Sequence, residues 1–434
     1  MASRFYLFID VLSLMKFLLL FLVSLLSLAA AEPTEVREWT SSVGSKIEGK
    51  AMSLSEGKVT LKTTAGRTLV LPLAKLSKED GEFLLEHFKP EPVKAPIFEA
   101  PVLDYPLGEV VGPIQASDDS SYFLYLPKSL AAGADAPLFF FTGPNPSKKK
   151  TLERFISAAE LTGMVLAASV ESKNQTNAFE INNGHTKNCL KHIKKSLPVD
   201  VERVFFSGTS GGGATSLYNA STIKCLGALP YIAYIPDGSS PPKKGFYYLA
   251  SGAWDYNRYS SAGAAKKFKN RATHRMYSGG HTMGNSAIAE EGVIWLYTRH
   301  IYEKRSDFPE EATRFEVRLS AFLSELSEKN SQLAYFWTDH LLNLCEASGP
   351  VRPIIERLHS KLGSDPANVR YLAGRVALDN FSENVFAPVD GKGSLSEHTT
   401  PKIQKAAQEL VNEYSDTPEI KEIAEELLKK TQKF

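Results

Sequence analysis

A glycine-rich turn around one serine carries the residues best suited to chemistry. The apolar run VFFS at 204–207 leads into GTSGG, from Gly208 to Gly212, and a segment of helical character follows. This is a G-x-S-x-G pattern between a strand and a helix. Its glycines admit neighbouring backbone, and its serine hydroxyl stands exposed at the edge of a sheet. Ser210 is therefore the candidate nucleophile.

A histidine and an aspartate that could activate this serine lie further along the chain. A serine hydroxyl is a poor nucleophile without a base, and behind such a turn an acid and then a histidine follow the serine. Asp255 and His281 have that order, and each stands in a loop after a short β-rich run. We predict that Ser210 attacks, that His281 acts as general base and then acid, and that Asp255 orients the imidazole.

Two residues compete for these roles. Asp237, in IPDG at 235–238, also follows a strand-like run and is the alternative acid. Asp255 is favoured because its run is the next to last before His281. His274 stands at the start of a run rather than at its end, which favours a core or surface position.

Acyl transfer also needs backbone donors for a developing oxyanion. The N–H of Gly211, directly after the serine, is the first candidate. The second should come from TGPNP at 142–146, which follows an apolar run. Its two prolines lack an N–H, so Gly143 or Asn145 would be the donor.

The same glycines could instead form a phosphate-binding loop, since Gly208 and Gly213 have the G-x-x-x-x-G spacing. The position that must be lysine to reach the phosphates is Ala214. Nucleotide hydrolysis is therefore disfavoured.

Hydrophobic periodicity predicts the strands and helices around these residues. Between 102 and 305, short apolar runs alternate with helical stretches, which predicts a mostly parallel sheet covered on both faces. The predicted strands are 122–126, 137–141, 164–169, 204–207, 231–235, 246–250 and 275–277, and the predicted helices include 152–161, 188–197 and 288–300. After Arg305 the pattern is helical alone, with capping residues before Pro366, Pro401 and Pro418, so 306–434 is predicted to be a helical domain.

The N-terminal region has a different character. Residues 37–88 show period-two alternation with glycine at the turns, and then a helix whose start is marked by Ser77. This predicts a small antiparallel β-barrel closed by one helix. Residues 89–101 contain four prolines and are predicted to be an extended linker.

An export signal precedes that unit. An apolar run behind Lys16 ends in AAA at 29–31, so 1–31 is predicted to be a cleaved signal peptide whose true start is Met15; an uncleaved membrane anchor is the alternative. The protein would then be secreted or periplasmic. In that oxidising compartment Cys189 and Cys225 are the expected disulfide, which leaves Cys345 as a buried thiol.

Two resemblances extend this interpretation. R-x-W-T at 37–40, GKVTLK at 57–62 and LPLAKLSKED at 71–80 resemble the SLA homology domain, an SH3-like barrel that binds peptides in endocytic adaptors. The serine turn, Asp255 and Gly279-Gly280-His281 resemble secreted esterases and polyester depolymerases of the α/β-hydrolase superfamily. That resemblance implies hydrolysis of an ester through an acyl-enzyme, without metal or organic cofactor.

Composition limits the alternatives. The 434 residues carry a net charge of +1, which gives no basic excess for a general nucleic-acid binder, and three cysteines without a C-x-x-C pair disfavour a thiolate zinc site. The expected function is an exported serine hydrolase that acts on a small or polymeric ester. The alternatives are a non-catalytic exported protein that binds a peptide or protein through its N-terminal barrel, and a serine peptidase. The expected contact with a membrane is through the export signal alone.

Overall fold

The computed structural model describes residues 32–55, 57–89, 103–131, 135–240, 242–344, 351–389 and 399–431. The chain divides into two compact units. The small unit comprises Met1–Val93 and Ala347–Ser364, and the large unit comprises Lys94–Glu346 and Asp365–Phe434. The predicted signal peptide, nearly all of the predicted linker, and Cys345 lie outside the described residues. Within those ranges, no helix is long and apolar enough to cross a membrane.

The small unit contains a four-stranded antiparallel sheet, which confirms the expected β-rich unit. Its core is formed by Trp39, Val59, Leu61 and Leu84, all essentially buried. The Ser77 hydroxyl accepts a hydrogen bond from the Asp80 N–H at 3.2 Å and starts the helix where the sequence predicted. The elements, in sheet order, are β1 Arg37–Thr40, β2 Lys46–Ser55, β3 Lys58–Thr63 and β4 Thr68–Pro72, followed by helix α1 Lys78–His87.

A helix from much later in the chain belongs to the same unit. Arg357 of this helix donates a hydrogen bond to Glu86 of α1 at 3.2 Å. The Ser360 hydroxyl would lie 2.9 Å from a Cβ placed on Gly57. The helical domain predicted for 306–434 is therefore divided between the two units.

The large unit is built on an eight-stranded sheet in the order β12-β11-β10-β9-β7-β8-β6-β5. Neighbours from β8 through β7, β9, β10 and β11 to β12 pair in parallel, whereas β6 pairs antiparallel with β5 and β8. Helices cover the sheet, which confirms the predicted α/β architecture. The strands are β5 Val110–Ser117, β6 Ser120–Tyr125, β7 Ala136–Thr142, β8 Val165–Ser169, β9 Val199–Thr209, β10 Gly227–Tyr231, β11 Phe246–Gly252 and β12 Ala272–Tyr277.

One strand prediction was wrong. The run predicted at 231–235 is where a strand ends, and β10 occupies Gly227–Tyr231 instead. At Ile232 the chain leaves the sheet with φ of +45°, and its N–H donates to the Ala250 carbonyl at 2.7 Å. Proline has no backbone N–H to donate, so Pro230 argues against a central strand at this point. The strand nevertheless continues through Pro230. β5, at the sheet edge, was not predicted.

The C-terminal helices pack on the sheet unit through two kinds of contact. Buried side chains of the helices Pro366–Phe381, Thr399–Glu413 and Pro418–Thr431 share an apolar cluster with Ala253, Ala262 and Met276. A buried ionic cluster adds to it, because Glu291 lies 2.5 Å from Arg375 and 3.4 Å from Arg275. Helices of the chain after α1 are α2 Lys149–Glu153, α3 Ile156–Thr162, α4 Ala178–Ser196, α5 Gly211–Thr222, α6 Arg258–Phe268, α7 Ser286–Glu303, α8 Pro309–Lys329, α9 Ser331–Leu344, α10 Arg352–Leu362, α11 Pro366–Phe381, α12 Thr399–Glu413 and α13 Pro418–Thr431.

The ionic cluster keeps its charges although it is buried. Burial alone would raise the pKa of Glu291, and Arg375 and Arg275 outweigh that effect, so the pKa lies at about 2. Removing one partner would leave an uncompensated buried charge, which typically costs about 3–5 kcal/mol.

The predicted disulfide is not formed, because Cys189 and Cys225 are free thiols. Each packs into the apolar layer beside its own backbone acceptor: the Cys189 sulfur lies 3.7 Å from the Ser121 carbonyl, and the Cys225 sulfur lies 3.9 Å from the Ala220 carbonyl. Burial raises the pKa of both thiols to about 12. They are therefore protonated core side chains.

His274 gives a prediction for stability. Burial between Ser251 and Ser382 lowers its pKa from 6.5 to about 3. Between these values the unfolded chain binds a proton that the folded chain does not, so this residue lowers stability as the pH falls below about 6.5. Between pH 6.5 and 5, we expect the free energy of unfolding of His274→Gln to fall by about 2 kcal/mol less than that of the wild type, as measured by calorimetry.

The comparison with wild type is needed because other titratable groups also bind protons as the pH falls, and they are present in both proteins. Equal pH dependence of the wild type and His274→Gln would contradict the assignment to His274.

Candidate active site

The serine turn has the local structure that the sequence predicted. Strand β9 ends at Thr209, helix α5 begins at Gly211, and Ser210 between them has φ of +55° and ψ of −122°. Residues other than glycine rarely adopt this backbone conformation, and it persists only where the surrounding structure imposes it. Here the Ser210 N–H donates to the Tyr231 carbonyl at 2.9 Å, and its carbonyl accepts from the Ala214 N–H at 2.9 Å.

The glycines on either side of the serine are required by close backbone packing. A Cβ on Gly208 would lie 2.3 Å from the Gly212 carbonyl oxygen, and one on Gly212 would lie 2.2 Å from the Thr142 carbonyl oxygen. The Thr142 hydroxyl also donates to the Gly212 carbonyl at 2.8 Å. The end of β7 is thus packed directly against the turn.

Ser210, His281 and Asp255 come together at the carboxyl edge of the sheet. The Ser210 Oγ lies 2.9 Å from Nε2 of His281, and Nδ1 of the same ring lies 2.5 Å from Oδ2 of Asp255. Asp255 follows β11 and His281 follows β12, and these are paired parallel strands. The histidine therefore touches both partners at once.

Asp255 is held as a buried acceptor. Its side chain is fully buried, and burial raises the pKa of the carboxyl, although the Asn257 N–H and His281 act to lower it. The Asn257 N–H donates to Oδ1 at 2.6 Å, so both carboxyl oxygens have a partner. Such an arrangement fixes the orientation of the imidazole.

The other predicted residues lie elsewhere or at the margin. Asp237, the alternative acid, is exposed and lines a different cleft with Lys266 and Lys267. His274 is buried between two serines, away from Ser210. Gly143 adjoins the turn, since its carbonyl carbon would lie 2.7 Å from a Cβ on Gly212. Asn145 is exposed on the same loop.

An aromatic side chain covers the histidine. The ring of Tyr256 stacks on His281 with centroids 4.3 Å apart and planes at 14°, and its hydroxyl lies 2.9 Å from Nε2. Tyr256 is 67% exposed, so it stands between the imidazole and solvent. Two neighbouring aromatic residues differ: Trp254 of the same loop packs on Gly280, and Tyr259 at the start of α6 packs on Phe386.

Sequence reasoning missed the segment that lines the cleft beside Ser210. The cleft has a volume of about 580 Å³, and Asn174, Gln175, Asn177 and Glu180 contribute to its wall. A Cβ on Gly211 would lie 2.0 Å from the Asn174 Oδ1, which places this carboxamide directly over the turn. The polar run that directly follows β8 at this edge of the sheet was the signal that could have found them.

Comparison with known proteins identifies the small unit. Residues 28–91 match the model of SLA1 homology domain 1, SHD1. The N-terminal unit contains an SHD1 domain. The match includes the four strands and helix α1, so the SHD1 domain corresponds to the predicted β-rich unit. A search of the curated proteins finds no match to this chain.

Solved structures similar to this chain include serine hydrolases and esterases. They include a fluorophosphonate-binding serine hydrolase of Staphylococcus aureus, with 14% identity, a TM-score of 0.34, and coverage of 42% of this chain and 96% of that one. An S-formylglutathione hydrolase of the same organism has 13% identity, a TM-score of 0.36, and coverage of 45% and 99%. An esterase of Pyrobaculum calidifontis has 15% identity, a TM-score of 0.35, and coverage of 44% and 84%.

The close packing at the serine turn gives a prediction. We expect Gly212→Ala to slow labelling of the protein by a fluorophosphonate at least about 100-fold, because backbone must move to admit the methyl group and Ser210 moves with it. Gly184→Ala is the matched control. A Cβ there meets nothing within 4 Å, and it lies inside helix α4.

The control should label at the wild-type rate and gain up to about 1 kcal/mol of stability from the better helix former. Unchanged labelling of folded Gly212→Ala would show that the turn does not depend on this contact.

Proposed function

We propose that the large unit is a serine hydrolase that cleaves carboxylic esters through a covalent acyl-enzyme. The observation that carries this proposal is the continuous contact from Ser210 through His281 to buried Asp255. The order of these residues along the chain agrees with that of α/β-hydrolases.

The geometry supports the following steps. The Ser210 Oγ attacks the ester carbonyl carbon while its proton passes to Nε2 of His281. The tetrahedral intermediate collapses, the bond to the alcohol oxygen breaks, and the imidazolium gives that oxygen its proton. Water then attacks the acyl-serine with His281 again as base, which releases the acid and restores the serine. Asp255 stays ionised and stabilises the imidazolium.

The oxyanion would be stabilised by backbone N–H groups at the turn. The N–H of Gly211, directly after the serine, would be the first of these donors. The loop of Gly143 and Asn145 would supply the second, because Gly143 packs against the turn. Tyr256 lies over His281 and would limit the access of water to the imidazole.

The SHD1 match favours a second function for the small unit, the binding of a peptide or protein. Arg37 lies over the ring of Phe83 at 3.9 Å and beside Trp39, and Phe83 remains partly exposed. The Arg37 guanidinium also pairs with Asp80 at 2.8 Å, so the partly exposed ring of Phe83 is the aromatic surface that could contact a peptide. We also propose that residues 1–31 direct export of the protein to the periplasm or the exterior.

The first test is covalent labelling with a fluorophosphonate. We expect the wild type to label and both Ser210→Ala and His281→Ala to lose labelling by a factor of about 10⁴ or more, because each removes a member of a cooperating set. Ser221→Ala, at the end of α5, is the control and should label normally. Absence of labelling in folded wild type would exclude an activated serine and favour the non-catalytic alternative.

The second test separates the two candidate acids. Asp255→Asn should reduce kcat for 4-nitrophenyl acetate by about 10³–10⁴, because the amide no longer holds the histidine in the tautomer that accepts the serine proton. Asp237→Asn should leave kcat unchanged. The reverse outcome would assign the acid to Asp237, and faster cleavage of a peptide than of its matched ester would favour a peptidase.

A further inference from the structure

The cleft beside Ser210 has an unusually polar wall for the acyl or alcohol site of an esterase. Asn174, Gln175 and Asn177 present carboxamides, Glu180 presents a carboxylate, and Tyr234 presents a phenol. Binding sites for small molecules are mostly lined by apolar side chains with few polar groups. Here the apolar contribution comes from Ala178, Phe179 and the ring of Tyr256.

These polar groups are available to a ligand. Asn174, Gln175, Asn177 and Glu180 are exposed, and their side chains form no hydrogen bond with another of the described residues. An alkyl chain in this cleft would remove them from water without replacing their hydrogen bonds, and that is unfavourable. A ligand with several hydroxyl groups would replace them, because a hydroxyl both donates and accepts. Carboxamides offer both functions, and a carboxylate accepts with two oxygens.

The charge of the cleft restricts the ligand further. Glu180 is the one charged residue in its described wall, which holds no lysine or arginine. A phosphorylated or carboxylated ligand would meet an uncompensated negative charge. The exposed ring of Tyr256 adds a flat apolar surface at the same cleft, on which the C–H face of a saturated ring can pack.

We propose that the substrate is an ester of a neutral, polyhydroxylated ring, an O-acylated sugar, whose sugar part occupies the cleft lined by residues 174–180. This inference rests on the proposed function, since the ester must reach Ser210. It adds the chemical class of the alcohol. The carboxamides and Glu180 bind the hydroxyl groups, and Tyr256 packs against the ring.

A matched pair of esters tests the proposal. Methyl xyloside carrying one acetyl group and cyclohexyl acetate share the acyl group and a six-membered ring, but the second lacks hydroxyls. We expect kcat/KM to be at least about 10-fold higher for the sugar ester, because a site with hydrogen-bonding groups rejects an analogue that cannot pair with them. An acetylated methyl glucuronide, which is anionic, should be hydrolysed more slowly than the xyloside.

Two variants of Glu180 sharpen the test. Glu180→Leu should lower the preference for the sugar ester over cyclohexyl acetate about 10-fold, and Glu180→Gln should reduce the penalty for the anionic sugar. Glu303→Leu is the matched control, an exposed glutamate at the end of α7 that does not line the cleft. It should leave both ratios unchanged.

The outcomes separate this inference from the proposed function. If the protein labels with a fluorophosphonate and cleaves 4-nitrophenyl acetate but hydrolyses the two ring esters at equal rates, the sugar-ester proposal is overturned. The proposed hydrolase function then stands. A preference for esters of long-chain alcohols over the sugar ester would also overturn the sugar-ester proposal. If the serine does not label, the proposed function fails, and the sugar-ester proposal fails with it.

Discussion

The close packing of backbone at Ser210 is the constraint on which the rest of the site depends. Thr142 at the end of β7 and Gly212 at the start of α5 approach so closely that a methyl group cannot fit between them. That approach, with the Ser210 N–H bonded to the end of β10, holds the serine in a backbone conformation that it would not adopt alone. Three parallel strands thus fix one hydroxyl in space.

The histidine and its acid depend on the same sheet. β11 and β12 are paired in register, with Gly252 opposite Tyr277, so the loops that carry Asp255 and His281 leave the sheet side by side. Because Asp255 is buried, each of its two carboxylate oxygens needs a hydrogen-bond partner in the protein. The Asn257 N–H is the partner of Oδ1, and the imidazole is the partner of Oδ2. A carboxylate in solvent would hold the ring less firmly.

Helices α11, α12 and α13 matter to this sheet because they support its β12 edge. Arg275 on β12 and Arg375 on α11 both pair with Glu291 on α7, and the adjoining apolar cluster includes Ala253 and Met276. Ala253 lies two residues before Asp255. These three helices therefore stabilise the strand and the loop from which the acid projects, although none of their described residues lines the cleft beside Ser210.

Local pattern in the sequence was sufficient for much of this structure. The G-x-S-x-G turn, the capping serine of α1 and the alternation of apolar runs depend on neighbours in the chain, so the turn, the start of that helix and the α/β class could be predicted. The order of serine, aspartate and histidine along the chain also predicted Asp255 as the acid. The contact between Asp255 and His281 could not be predicted in the same way, because it depends on the register of two strands.

Other features depend on packing between segments that are distant along the chain, so no local pattern predicts them. The thiols of Cys189 and Cys225 stay apart because their elements turn them toward different backbone acceptors. β10 ends at the first residue of the run predicted for it, since Ser210 and Ala250 form hydrogen bonds with the chain at Tyr231 and Ile232. The polar wall at 174–180 faces Ser210 because β8 ends at the same edge of the sheet. The sequence determined which residues could react, and the sheet determined which of them meet, since side chains far apart along the chain are brought together by strand order and register.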